Sequence, residues 1–357
     1  MVRIHVTQIH EGDTLTKDIF NDRGLLVLSA GTVMKHRDIA LLIRHHMDMV
    51  DIEARSLTGE EAVSPSQINV PPSSNHIVHE EMQKGYMEAT RNVESIFQDV
   101  IQHGFLQDEL VQSSITPLIQ QMEKQRDVVS LLLLLDSKDN YTYQHSVQVG
   151  MLSYYLAKWM HYGEEDAERI CKAGFLHDIG KSRIHKSILL KPGQLTSSEF
   201  EEMKSHTVIG YEIIRSSYSD NWLAMAALQH HERLDGSGYP YGAAEQEIHP
   251  TARIIAVADV YSSMTSTRIY RDKQDLFTVL KELDSMSYSG LDPHIVHTFI
   301  RHMLPNFIHK QARLSDGRTG TIIMNHQTEF FRPLVQIDNR FVDLTQCRDL
   351  HIEEVCM

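Results

Sequence analysis

Residues able to hold one metal centre are scattered along this chain as His145, His177-Asp178, His206, His230-His231 and Asp259, so several separate segments must converge on one point. Each of those segments reads as a helix or a helix end. Tyr143 to Lys158 carries Val147, Val149, Leu152 and Leu156 on an apolar side, with His145 near its first turn. Glu165 to Ile179 turns Ile170, Ala173 and Leu176 inward and holds His177-Asp178 just before Gly180. His206 opens a helix through Ile209 and Ile213, His230-His231 ends the stretch from Trp222 to Gln229, and Asp259 lies in the apolar run from Ile254 to Val260. Adjacent helical residues differ by about 100° in direction, so His177 can ligate while Asp178 bridges. Imidazole nitrogen and carboxylate oxygen suit first-row divalent metals, and a carboxylate can span a pair of them.

Two strings carry a resemblance. His177-Asp178-Ile179-Gly180-Lys181, followed by His230-His231-Glu232-Arg233-Leu234-Asp235-Gly236-Ser237-Gly238-Tyr239-Pro240, resembles the HD-GYP branch of the HD-domain metallohydrolases over about residues 125 to 305. The resemblance implies a helical catalytic domain that hydrolyses cyclic di-GMP to linear pGpG, with GMP as a further product left open. It implies that His145, His177, Asp178 and Asp259 hold one ion, and His206, His230, His231 and bridging Asp178 the second. Some members carry a glutamate four residues before the first histidine and hold a third ion. Tyr141 stands there, which implies two, with iron or manganese ahead of zinc. The resemblance implies Asp178 and Lys181 as the catalytic pair, Lys181 meeting phosphate and leaving-group charge, with a surface lysine at a helix end as the alternative. Lys181, Tyr239, Arg268 and Arg271 form the expected substrate set, although Ile269 replaces a proline common in the family. Arginine's planar fork suits phosphate or guanine. Glu232 reads as orienting a ligand histidine, with a salt bridge to a local base as the alternative.

Net charge is −14, which disfavours nucleic acid polymers and anionic membranes as partners, so an anionic substrate needs a local positive pocket. Lys181, Arg183, Lys186, Arg268 and Arg271 are the candidates for it. The apolar run from Val128 to Leu135 is far short of the roughly 20 residues that cross a bilayer, and the N-terminus lacks a continuous apolar signal region. Cys171, Cys347 and Cys356 show no CxxC spacing, which fits a reducing compartment. A cytoplasmic location is the expectation.

The fold class expected is mainly α, a helical catalytic domain flanked by a small N-terminal α+β module and a small C-terminal β module. Residues 1–55 form the first module, with strands at Val2 to Val6, Leu25 to Leu28 and Val50 to Ile52 and a helix from Lys35 to His46. Its role reads as regulation or assembly, where a signalling protein is a candidate partner, with a plain structural role as the equal alternative. Residues 56–76 combine three prolines with small polar residues and read as a linker. The helical region is 77–308, and its stripe of Met82, Tyr86, Met87, Val93, Ile96, Phe97 and Val100 reads as helix packing or a homodimer seam. Residues 309–357 contain strand-like runs at Thr319 to Met324, Pro333 to Ile337 and Phe341 to Leu344. Besides cyclic di-GMP hydrolysis, two alternatives stand: hydrolysis of a mixed cyclic GMP-AMP dinucleotide, and a catalytically weak sensor of cyclic dinucleotides. A sensor usually lacks metal ligands, and none of the motif ligands is missing here.

Overall fold

A computed structural model describes residues 2–6, 9, 12–20, 26–28, 30–35, 38, 42, 49–53, 74–124, 141–265, 275–338 and 340–356. The chain divides into two compact units, Met1–Glu81 and Met82–Met357. In the first, strand β1 (Val2–His5), β2 (Ile19–Phe20), β3 (Leu26–Leu28) and β4 (Met49–Ile52) form two small antiparallel sheets, β1 with β4 and β2 with β3. Val6, Leu15, Met34, Leu42, Val50 and Ile52 close a core of their own. The expected helix at 35–46 lies almost wholly outside the described residues, as does the linker up to residue 73. Residues 74–76, placed in that linker, are instead the first turn of a helix.

That helix, α1 (Ser74–His103), starts in the first unit and runs into the second. It is followed by α2 (Asp108–Lys124), α3 (Tyr141–Trp159) and α4 (Glu164–Leu176). Next come α5 (Lys186–Leu189), α6 (Ser197–Lys204), α7 (His206–Ser217) and α8 (Asn221–Gln229), and then α9 (Pro250–Thr265), α10 (Leu276–Met286) and α11 (Pro293–Met303). The stripe on α1 is internal packing: Tyr86, Val93, Ile96, Phe97 and Val100 are buried in one core with Val111, Ile115 and Leu118 of α2. Met87 of the same stripe is 51% exposed.

Four features of this sequence hold the helices around the future site. Acidic Glu164, Glu165 and Asp166 sit in the first turn of α4, where carboxylates favour the positive end of the helix dipole. Deeper in α4, a Cβ on Gly174 would stand 2.8 Å from the Cα of Gly150 in α3, so these two helices cross with their backbones in contact. Helix α9 buries Ala252, Ile254, Ile255, Val257, Ala258 and Tyr261 and is covered nearly all round, as a central core helix must be. Phe175, Phe277, Phe299 and Phe307 fill the spaces between helices, each contributing roughly 1.5–3 kcal/mol through burial.

The C-terminal part is a five-stranded antiparallel sheet of β5 (Gln311–Leu314), β6 (Thr319–Met324), β7 (Leu334–Ile337), β8 (Arg340–Asp343) and β9 (Ile352–Cys356), in the order β8-β7-β6-β5-β9. The three expected runs appear as β6, β7 and β8. Strands β5 and β9 are additions, and they pair with each other at the end of the sheet opposite β8. Among the described residues no helix is long and apolar enough to cross a membrane.

Candidate metal centre

The convergence expected from sequence is present. Asp178, His206, His230 and His231 bring ligand atoms within 4.8 Å of one another, and His145, His177 and Asp259 do the same. Asp178 stands between the two groups. Its Oδ1 lies 3.3 Å from His206 Nε2 and 3.8 Å from His230 Nε2, whereas its Oδ2 lies 3.4 Å from His177 Nε2 and 3.9 Å from His145 Nε2. Asp259 joins the groups from the other side, with Oδ1 2.9 Å from His145 Nε2 and Oδ2 3.7 Å from His231 Nδ1.

One local expectation is corrected. Helix α4 stops at Leu176, His177 caps it in helical geometry, and Asp178 sits at φ −97°, ψ 8°, so helical spacing is not what separates the two side chains. The chain turns there into a short 3-10 segment, Ile179–Arg183. Gly180 makes this turn feasible: a Cβ at that position would fall 1.9 Å from the carbonyl oxygen of His206. Close approach of the turn to α7 is thus what sets Asp178 against His206.

Main-chain carbonyls aim the imidazoles. His177 Nδ1 lies 2.7 Å from the Gly174 carbonyl, His206 Nδ1 2.6 Å from that of Met203, and His230 Nδ1 2.9 Å from that of Ala227. A carbonyl only accepts, so each Nδ1 carries the proton and, in the neutral ring, each Nε2 is a bare acceptor. His145 is set by a side chain: Ser262 Oγ, 3.0 Å from its Nδ1, donates onward to Gln148 Oε1 at 2.9 Å. Sequence reading found neither the carbonyls nor Ser262. Only Ser262 carries a signal, three residues after Asp259 and so on nearly the same face of α9.

The result is a concentration of acceptors facing one another. His206 Nε2 and His230 Nε2 are 3.3 Å apart, and His177 Nε2 and Asp178 Oδ1 are buried without a hydrogen-bond partner. Burial drives the imidazole of His206 down to about 4 and that of His231 to about 3, and lowers His145 and His230 as well. Burial also opposes the charge on Asp178, yet Lys181 and the histidines outweigh it and hold the carboxyl well below the usual range. Asp259 is held low likewise, mainly by its contact with His145 overcoming burial. For His177 burial is outweighed by the adjacent Asp178 carboxylate, which raises it. Neutral imidazoles and ionised carboxylates are the forms that bind metal, and buried facing lone pairs are costly unless a cation lies among them. The residues fit a divalent metal site.

Lys181, on the 3-10 segment, places Nζ 2.5 Å from Asp178 Oδ2 with its side chain still partly exposed. Tyr239 packs its ring 4.6 Å from that of His231. Arg268 and Arg271 lie outside the described residues. Arg183 is exposed, and its Nη2 donates to the Val100 carbonyl near the end of α1. Lys186 is an exposed residue of α5. Glu232 also departs from both expected roles: its two oxygens accept from the backbone N–H of Tyr241 at 2.8 Å and Ala243 at 2.9 Å. Buried and fully engaged, it folds the loop that carries Tyr239.

A helical core with a buried histidine and carboxylate centre defines the class, and residues 130–295 match the family model described as HD domain. Over that stretch, just under half of its length, the chain is similar to the HD-domain family. Its His177–Lys181 and His230–Pro240 strings resemble those of the HD-GYP branch. It is 42% identical over 178 residues to the cyclic di-GMP phosphodiesterase of Thermotoga maritima, covering 49% of this chain and 48% of that one. It is 28% identical over 293 residues to cyclic di-GMP phosphodiesterase PA4108 of Pseudomonas aeruginosa, covering 81% and 70%. With 3'3'-cGAMP-specific phosphodiesterase 1 of Vibrio cholerae it shares 33% over 192 residues, 52% of this chain and 44% of that one. Thus the chain spans about half the length of the first and third of these relatives. The solved structure of Bd1817, a HDG"Y"P protein from Bdellovibrio bacteriovorus, has the same fold at 17% identity, with a TM-score of 0.50 over 83% of this chain and 97% of that one.

Proposed function

We propose that this protein is a dinuclear metal-dependent phosphodiesterase that hydrolyses cyclic di-GMP to linear pGpG. The observation that carries the reading is Asp178, whose two oxygens face two separate groups of buried ligand atoms. His145, His177, Asp178 and Asp259 would hold one ion, and His206, His230, His231 and Asp178 the other. Divalent ions bound there lower the pKa of coordinated water and neutralise charge on the phosphoryl oxygens. Iron or manganese fits this nitrogen and carboxylate donor set, and zinc is the third choice.

The protein's own groups then have definite tasks. Lys181 leaves Asp178 Oδ2 for the phosphate, offsets the charge that builds on it, and gives a proton to the departing O3′ as the oxygen of a water forms the new P–O bond and the P–O3′ bond breaks. Tyr239 lies against the ligand imidazole and forms a wall for the nucleotide. Arg268 and Arg271 remain candidates for phosphate or guanine. The N-terminal unit supplies none of these groups, and we assign it a regulatory role open to a protein partner.

Anaerobically purified protein, loaded separately with Fe(II) and Mn(II), tests the reading when given cyclic di-GMP and 3',3'-cGAMP and analysed for linear and mononucleotide products. Turnover of cyclic di-GMP with two ions per chain is expected. Preference for 3',3'-cGAMP would move the substrate to the relatives named for it, and tight binding with no turnover by metal-loaded protein would make the chain a sensor.

A further inference from the structure

Helix α6 buries none of its residues, yet it is firmly built. Thr196 caps it reciprocally with Glu199, whose Oε2 also accepts from Lys191 Nζ at 2.5 Å. On this helix Phe200 leaves 45% of its surface exposed, and its ring centroid lies 6.3 Å from that of Tyr239 in an edge-to-face arrangement. Tyr239 in turn lies against His231 at 4.6 Å and His206 at 6.4 Å. A continuous path of rings therefore leads from the surface to the imidazoles of the metal centre. Over one side of this path, Lys204 Nζ stands 4.9 Å from the centroid of the Phe200 ring and 5.8 Å from that of Tyr239, leaving the other face of Phe200 for a base. The ionic partner of Lys204 is the surface carboxylate of Glu201 at 2.8 Å, a weak exposed pair that an anion can replace.

An exposed aromatic ring and an easily released ammonium, side by side at the edge of a phosphodiesterase centre, match the two halves of a nucleotide. We propose that Phe200 and Lys204 form a substrate-recognition clamp, in which a guanine base stacks on Phe200 and Lys204 pairs with phosphate. This rests on the cyclic dinucleotide reading above and adds to it two residues outside both motif strings. Bases stack on aromatic side chains through their π faces, so the clamp favours any purine dinucleotide over a bare phosphate. Lys204 also answers the need of a chain with net charge −14 for local positive charge where its substrate enters.

The test uses the full, metal-loaded chain. Affinity for a slowly hydrolysed phosphorothioate analogue of cyclic di-GMP is measured by calorimetry, alongside KM and kcat for cyclic di-GMP and the inhibition constant of inorganic phosphate. Phe200→Ala should raise both the analogue Kd and KM by about tenfold or more, with the phosphate constant moved by less than about twofold, and Phe200→Tyr should restore the affinity. Lys204→Gln should raise KM severalfold and flatten its rise with salt. A wild-type enzyme that turns over cyclic di-GMP, with Phe200→Ala equal to it in Kd and KM, would remove the clamp and leave the proposed function standing. Parallel weakening of phosphate and analogue by Phe200→Ala, not restored by tyrosine, would mean local collapse and also overturn it. If metal-loaded wild type neither binds nor hydrolyses a cyclic dinucleotide, the functional reading itself fails.

Discussion

The buried centre around Asp178 and the surface cluster of Glu123, Glu164 and Glu168 both bring ligand-type atoms within 4.8 Å of one another. At the surface, Glu164 already accepts from Tyr154 Oη and Lys158 Nζ, and all three carboxylates are open to water. Lys158 and then Tyr154 hold the Glu164 carboxyl low, while partial burial and the neighbouring glutamates raise that of Glu168. Solvent and protonation meet every need of that cluster. The centre is largely buried, and most of its Nδ1 protons already go to carbonyls. What distinguishes a metal site here is unmatched acceptors under burial, and proximity alone does not supply it.

The contrast can be broken at several points. The largest effect is expected from Asp178→Ala, which should empty both ion positions and reduce hydrolysis to background. Metal content per chain by elemental analysis checks this, and full retention of one ion would end the bridging assignment. Lys181→Ala should keep its metals and lose about 10²–10³ in kcat, because the ammonium acts on substrate charge. Equal turnover and affinity in that variant would return Lys181 to a purely structural partner of Asp178. Ser262→Ala, which strips the acceptor from His145 Nδ1, should weaken metal affinity by roughly 10–100-fold, read by competition with a chelator.

Acid provides a gentler probe. In the metal-free protein, His206 at about 4 and His231 at about 3 lie below the ordinary 6.5, so the unfolded chain binds more protons as pH falls below 6.5. Stability should therefore fall from about pH 6.5 towards 4, visible as a decreasing Tm. His177, which is raised, opposes this, and the lowered Asp178 and Asp259 add their own loss only below the ordinary carboxylate value of 3.8. A Tm that climbs over that window would refute the picture of neutral buried imidazoles. The smallest effect belongs to the surface cluster: Glu168→Gln should leave metal stoichiometry unchanged, and a lost ion there would dissolve the comparison.

The residues that converge at the centre could be read from sequence because they stand at the ends of recognisable apolar stripes and inside two distinctive strings. The helices carrying them were legible for the same reason, down to α7 opening at His206. Strands β5 and β9 were not: only Ala312 and Leu314 face inward in the first, and adjacent Glu353 and Glu354 break the apolar pattern of the second. Glu232 was misread because a charge beside two histidines suggests service to them, whereas a turn nine residues on claims both its oxygens. The end of α4 was overestimated because Ile179 continues its apolar period, while the tight packing of Gly180 against α7 has no local sequence mark.

The carbonyls behind His177, His206 and His230 also bear on how this centre tolerates change. Every amino acid brings the same carbonyl, so replacing Met203, Ala226 or Ala227 by another helix-compatible residue of suitable size cannot delete the acceptor that fixes the ring. Only His145 depends on a replaceable hydroxyl. Random mutation therefore meets a centre whose aim is largely encoded in the path of the backbone, and a library built around it should find Met203 permissive, the buried Ala226 and Ala227 limited by space alone, and position 262 restrictive.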